Sequence, residues 1–237
     1  MARSYKSKSK RSPFRAFLKI ISWSLAPVLI ISFLEVFLVR YINPPFTVYQ
    51  GARWLHSIIS REKYQLPEYR WCPIVEISPY LKKAILAGED QRFLIHHGFD
   101  FVEMGRAARD FVKKGRVRGA STISMQTART LFLWPKRDYM RKLLEIYYTS
   151  LIEIVLSKRR ILELYLNTVD WGDGIIGAEA ASVKYFRRHC WEITPAQAAL
   201  LAAVLPSPHR WQPNRPNMLV MLRYRKILKE MDKMPSL

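Results

Sequence analysis

The strongest constraint on this chain is an apolar run behind a basic tail. Residues 1–19 carry Arg3, Lys6, Lys8, Lys10, Arg11, Arg15 and Lys19 and no acid, and residues 20–39 are then almost wholly apolar. About twenty such residues are what a helix needs to cross the hydrocarbon of a bilayer. A cleaved leader has a shorter apolar core and a small-x-small cleavage site after it, and this run has neither. The pattern predicts one retained transmembrane helix over 20–40. Pro27 introduces a kink, and Glu35 lies near the outer end, within reach of the headgroups. Basic flanks stay on the cytoplasmic side, which puts everything from Tyr41 onward outside the cytoplasm. The expected organisation is a cytoplasmic tail (1–19), the span (20–40), a juxtamembrane segment (41–76) and a folded domain (77–237).

Charge alone does not choose a partner. The 237 residues sum to +20, with 39 basic against 19 acidic side chains. Such an excess calls for an anionic partner: nucleic acid, anionic lipid or a phosphorylated substrate. The expected topology removes nucleic acid from that set. A hydrophobic content of 49% supplies a core and excludes wholesale disorder. Cys72 and Cys190 form no CxxC and have no zinc-ligand spacing; in an oxidising compartment they could pair, but they are far apart in sequence and a pair need not form, so two free, partly buried thiols are the favoured reading.

Beyond the span, the patterns are helical and no strand run stands out, so the fold class is mainly α. Thr47 to Ile59 reads as an amphipathic helix with Val48, Trp54, Leu55, Ile58 and Ile59 on its apolar side. Ser78-Pro79 is a helix start, with Ser as cap and Pro at the first position, and that helix should run to about Gly88. Phe101 to Lys114 forms another helix. Gly115 to Gly119 is a basic loop. Ser121 or Thr122 caps the next helix, whose free N–H groups make a seat for phosphate. Asp138 to Ser157 is apolar around most of its circumference, which predicts a buried helix. Arg141, Lys142, Glu145 and Glu153 share one sector of it and must be paired or face a polar cleft. Helices follow from Ser157, over Ala178 to Phe186, over Ala196 to Leu205, and over Met218 to Met231.

One stretch is dense in chemistry. Glu89-Asp-Gln-Arg-Phe-Leu-Ile-His-His-Gly-Phe-Asp100 follows the apolar run Ala84-Ile85-Leu86-Ala87. A carboxylate at the end of a rigid element beside a cleft is what general-base catalysis requires. The same pattern also describes a solvated turn, so other stretches must decide between the two.

Five stretches stand in a fixed order: Glu89-Asp90-x-x-Phe93-x-x-His96-x-Gly98-x-Asp100; Gly119-x-Ser121-Thr122-Ile123-x-x-Gln126; Arg141-Lys142-x-x-Glu145; Ser157-Lys158-x-x-Ile161-Leu162-Glu163-x-Tyr165-Leu166-Asn167; and Gly174-Ile-Ile-Gly-x-Glu179-Ala180-Ala181 with Ala198 to Pro206 after it. Together they resemble the peptidoglycan glycosyltransferase (transglycosylase) family over Ile77 to Pro213. Gly-Ala-Ser-Thr-Ile-Ser and Leu131-Phe132-Leu133-Trp134 resemble its monofunctional biosynthetic members. Ser60-Arg-Glu-Lys63 has Ser-x-x-Lys spacing but no accompanying Lys-Thr-Gly, and is read as chance.

The resemblance implies a lysozyme-like helical catalytic domain that polymerises lipid II. The acceptor's GlcNAc 4-hydroxyl attacks C1 of the donor's MurNAc, a β-1,4 link forms with inversion, and undecaprenyl diphosphate leaves. It implies Glu89 as the base and Glu145 as the second catalytic glutamate. Ser121, Thr122, Gln126, Arg129, Arg137, Arg141 and Lys142 would bind the donor sugar and diphosphate. Asp90, Phe93, His96, Asp100 and Asn167 would give structural support, as would Glu179. No cofactor is required, and the resemblance leaves room for a divalent cation such as Mg2+ beside Glu145. The implied partners are lipid II, the growing glycan chain, the membrane and other proteins of cell-wall synthesis or division. The implied location is the bacterial inner membrane, single-pass, with the N-terminus cytoplasmic and the catalytic domain periplasmic. Two positions depart from the family pattern: Met125 stands where a second Gln is usual, and Arg129 where Lys is usual. A lysozyme-like lytic enzyme and a non-catalytic envelope scaffold are the competing readings. The first would not need the cations around a diphosphate, and the second would tolerate a degenerate site.

Overall fold

The computed structural model describes residues 13–61, 69–115, 119–136, 138–172 and 174–237. Among these residues the chain forms ten α-helices, a short 3-10 helix and no strand beyond two isolated bridges. In order they are α1 (Pro13–Tyr41), α2 (Val48–Ser60), α3 (Pro79–Glu89), α4 (Phe101–Lys114), α5 (Ile123–Phe132), α6 (Tyr139–Val155), α7 (Lys158–Thr168), α8 (Ala178–Phe186), α9 (Pro195–Val204) and α10 (Met218–Glu230). Among the described residues no helix is long and apolar enough to cross a membrane, so the span expected over 20–40 is not shown.

Most helix starts follow from their caps. Thr47 and Gln50 close a reciprocal capping box on α2, as do Thr194 and Gln197 on α9. Asp100, Thr122, Asp138, Ser157 and Asn217 each accept a backbone N–H of the first turn. Ser78 does not behave as expected. It precedes Pro79 but makes no cap bond, and its hydroxyl donates instead to Ile193 O at 2.9 Å. That bond ties the start of α3 to the segment before α9.

The core has two connected parts. In one, α3 packs on α9 and α10; in the other, α5 packs on α6 and α7. Leu81, Ile85, Leu162, Leu166, Leu201 and Val204 are among its fully buried side chains. Asn167, at the end of α7, joins the core to the segment before α3. Its carboxamide accepts from Cys72 N at 2.8 Å and donates to Cys72 O and Glu163 O, both at 2.9 Å. Gly177 lets the following loop pass close to it: φ is +87°, and a Cβ there would lie 2.8 Å from Asn167 O.

Two expectations fail here. Cys72 and Cys190 are not free thiols: they are buried and joined in a disulfide, 118 residues apart in sequence. The hydrogen bonds that bring them together are Asn167 on Cys72 and, for Cys190, its N–H on Glu179 at 2.8 Å and its carbonyl accepting from Ser78 N at 3.1 Å. None of this is local in sequence. The second failure concerns α6, which is not buried all round. Glu145, Thr149 and Ile152 face inward, whereas Leu143 is 62% and Ile154 80% exposed. Within the charged sector Glu145 is buried and Arg141 and Glu153 nearly so, while Lys142 stays exposed; α5 and α7 present the hydroxyl and ammonium that satisfy Glu153. Ser124 Oγ donates to Glu153, and Lys158 Nζ lies 2.8 Å from the same carboxylate.

Candidate active site

Glu89 ends α3, and the packing of α3 on α9 and α10 makes that end rigid. Gly88 permits the close approach of α10: a Cβ there would sit 3.1 Å from Ile227 Cδ1. The approach carries Arg223 to the carboxylate. Arg223 Nη2 lies 3.4 Å from Glu89 Oε1, and its Nε donates to Ala203 O at 3.2 Å. The other oxygen, Oε2, accepts from Gln126 Nε2 at 3.0 Å, and Gln126 Oε1 in turn accepts from Tyr165 Oη at 3.4 Å. The Glu89 side chain is 13% exposed. Burial pushes its pKa above the usual carboxylate range, against the Gln126 hydrogen bond and then the Arg223 charge, which pull it down. Burial also raises Tyr165 well above an ordinary phenol, with the Glu89 charge adding to the effect, so Tyr165 remains a donor.

Glu89 lines one of two spaces, and its partner Gln126 lines the other. One is a cavity of about 380 Å³ lined by Gln126, Arg129, Thr130, Trp134, Arg141, Tyr165, Asp170 and others. The second, about 90 Å³, is lined by Glu89 itself with Gln91, Glu103, Ser121 and Lys226. Gln126 is thus both the partner of Glu89 and a wall of the larger cavity.

Glu145 does not line either space. It is 1% exposed, with Lys142 Nζ at 2.6 Å from Oε1 and Arg141 Nη1 at 3.5 Å from Oε2. Its carboxylate fixes two cations, one of which, Arg141, borders the larger cavity. Among the described residues Glu145 is not part of a group of three or more His, Cys, Asp or Glu side chains placed to hold a metal ion, and its carboxylate oxygens face Lys142 and Arg141.

Asp90, His96 and Asp100 do lie together, all buried. Most of their ligand atoms face protein groups, while His96 Nδ1 is buried without a hydrogen-bond partner. His96 Nε2 is 2.9 Å from Asp90 Oδ1, Arg92 Nε is 3.0 Å from Asp100 Oδ2, and Asp100 Oδ1 accepts from Val102 N and Glu103 N at 3.0 Å. Asp90 Oδ2 accepts from Ile123 N at 3.0 Å. That last bond corrects another expectation. The N-terminus of α5, read as a phosphate seat, already holds an anion from within the protein. Thr122 is occupied as well, donating to Gly98 O at 2.6 Å and accepting from Met125 N at 3.2 Å. Ser121 remains at the edge of the smaller space.

The remaining candidates separate in the same way. Arg129 and Arg141 border the larger cavity, while Lys142 is turned to Glu145. Phe93 is buried under the Lys158 ammonium, 4.5 Å from its ring centre. Arg137 lies outside the described residues, as does Lys63 of the Ser-x-x-Lys spacing. Met125 is buried, so its departure from the family pattern faces the interior rather than either space.

Residues 56–232 match the transglycosylase family. The chain belongs to that family. It is similar to proteins named biosynthetic peptidoglycan transglycosylase from several bacteria. The Rhodospirillum centenum protein is 50% identical over 185 residues, 78% of this chain and 77% of its own. The Bdellovibrio bacteriovorus protein is 45% identical over 193 residues, 81% and 77% of the two chains. The Pseudomonas fluorescens protein is 42% identical over 222 residues, 93% and 90%.

Within the transglycosylase site, sequence reasoning missed Arg223 and left Tyr165 without a role. Tyr165 was visible inside a quoted motif. Arg223 had no local signal: it lies 134 residues from Glu89, on a helix legible only as basic and amphipathic.

Proposed function

We propose that this transglycosylase polymerises lipid II at the outer face of the bacterial inner membrane. The observation that carries the mechanism is the partly buried Glu89, raised by burial, lining a small space and bonded to Gln126, which lines a larger one edged by guanidinium groups. An acceptor sugar in the smaller space would bring its 4-hydroxyl to Glu89, which takes the proton as oxygen attacks the donor's anomeric carbon. Gln126 and Arg223 hold the carboxylate so that its orientation is set before substrate arrives. The donor diphosphate belongs in the larger cavity, where Arg129 and Arg141 meet the charge that grows as the bond to the leaving group breaks. Displacement from the opposite face inverts the donor's configuration. Glu145 acts through Arg141 and Lys142: it holds cations in place and does not touch the substrate.

Both substrates carry lipid tails, which gives the anchor over 20–40 its purpose. The exposed apolar faces of α2 (Trp54, Leu55, Ile58, Ile59) and α4 (Phe101, Met104, Phe111, Val112) are suited to the headgroup layer. The +20 charge favours anionic lipid there.

The deciding experiment incubates purified protein with lipid II and resolves the products. Glycan polymer and undecaprenyl diphosphate are expected from wild type, and neither from Glu89→Gln. Normal polymer from the Gln variant would remove Glu89 as the base, and cleavage of preformed glycan would replace synthesis with lysis.

A further inference from the structure

Glu35 is the one acid within residues 20–39, and glycosyl transfer by Glu89 makes no use of it. Its carboxylate has a partner on the catalytic domain: Tyr148 Oη donates to Glu35 Oε2 at 2.9 Å. One turn earlier, the Ser32 and Tyr147 hydroxyls lie 2.6 Å apart. Val36, one turn after Ser32 on the same face, is fully buried. Arg160 of α7 extends the contact, donating to Val39 O at 2.9 Å, Ile42 O at 3.1 Å and Asn43 Oδ1 at 2.9 Å. Burial, then the hydrogen bond to Glu35, push the Tyr148 hydroxyl above the ordinary phenol range, so it stays the donor.

The two tyrosines follow Glu145 on α6. The Tyr148 ring also stacks on Phe132, with centroids 4.7 Å apart and planes at 6°. Phe132 is the last residue of α5, the helix of Gln126 and Arg129. A passive tether needs only length and hydropathy. A carboxylate inside an apolar run is costly in lipid, and directional bonds on one helix face gain nothing for tethering alone.

We propose that α1 is a positioning element of the catalytic domain, with Ser32 and Glu35 registering the anchor against Tyr147 and Tyr148 and thereby setting the height of the Glu145 and Gln126 helices above the bilayer. This rests on the reading of α1 as the membrane anchor of a lipid II polymerase. Ser32 and Val36 of α1 are buried, Glu35 reaches Tyr148 from an exposed position, and Phe33, Leu34, Phe37 and Leu38 face outward.

The test uses the full chain reconstituted in vesicles with lipid II in the same bilayer. The variants are Glu35→Leu, Glu35→Gln, Tyr148→Phe and the Leu/Phe double, with vesicle flotation run in parallel. Glu35→Leu makes the run more apolar, so flotation should hold. Glu35→Leu and Tyr148→Phe should each lower kcat/KM roughly two- to tenfold, the ratio that one net hydrogen bond sustains. The double variant should be no worse than the weaker single, because both delete the same bond. Glu35→Gln keeps an acceptor and should stay near wild type. The loss should fall on KM and should vanish with a short-chain substrate dispersed in detergent, where height above a bilayer has no meaning. Full activity of both single variants, additive losses, or an equal loss in detergent would each overturn the proposal. If Glu35→Leu does not insert, Tyr148→Phe, which leaves α1 unaltered, carries the same comparison. The lipid II reading fails separately, by absence of polymer from wild type.

Discussion

Replacing Arg223 by Gln should shift the acid limb of the pH–rate profile upward by about one unit. Arg223 Nη2 stands 3.4 Å from Glu89 Oε1. Two unit charges at that distance attract by about 5 kcal/mol at an effective dielectric constant of about 20. Arg223 is 35% exposed, and water screens that attraction, so about 1–2 kcal/mol should survive. At about 1.4 kcal/mol per unit this amounts to about one unit of Glu89 pKa. The sign follows from the charge. Without the cation the ionised carboxylate is less stable, so a pKa already raised by burial rises further. At any acidic pH a smaller fraction of Glu89 can accept a proton, and kcat/KM reaches its plateau only at higher pH. The assay is the initial rate of lipid II polymerisation across the acid-to-neutral range for wild type, Arg223→Gln and Arg223→Lys. The Lys variant keeps the charge and should hold the limb within a few tenths of a unit. The reasoning is refuted if the limb of a folded Gln variant stays in place, moves down, or is replaced by a uniform loss at every pH.

Other perturbations probe the same construction. Glu89 is raised in the fold, so its contribution to stability is fully present below the ordinary carboxylate pKa and is lost as pH rises through the raised value. The neutral Glu89→Gln should therefore be inactive yet more stable near neutral pH, with the gain shrinking in acid; thermal melts at two pH values check this. Asn167→Ala strands the buried Cys72 N–H and C=O and should cost about 2–4 kcal/mol in urea unfolding. Replacing Cys72 and Cys190 together by Ser opens a link across 118 residues and should cost about 2–5 kcal/mol; reductant should bring the wild-type Tm down to that of the double variant.

Much of the site was legible as residue types and spacing. Glu89, Gln126, Arg129, Arg141 and Glu145 were all selected from sequence, and the structure places the first four at two spaces and Glu145 behind Arg141. Their division of labour was not legible. Glu145 is spent on two cations, Gln126 bonds Glu89 while lining a cavity, and Thr122, at the edge of the smaller space, spends its hydroxyl on Gly98 O and Met125 N. A motif specifies which side chains are present. It does not specify which of their hydrogen-bonding atoms are already satisfied, because that depends on groups arriving from other helices.

What the sequence determined by itself is what closes within one turn of chain. The boxes at Thr47–Gln50 and Thr194–Gln197, and the caps at Asp100, Asp138 and Ser157, are bonds between residues three apart or fewer, so helix starts could be read directly. The charged sector of α6 was likewise visible on the wheel. Only the tertiary structure decided that Glu145 and Glu153 of this sector face inward while the apolar Leu143 and Ile154 face outward. Only it brought Arg223 to Glu89, Asp90 to the start of α5, Cys72 to Cys190 and Glu35 to Tyr148. The reason is the same in each case. A cap is settled by its own few residues, whereas the environment of a helix face is settled by whichever element packs opposite it. For α6 that element is α5 and α7 on the charged side, and α1 beside its tyrosines.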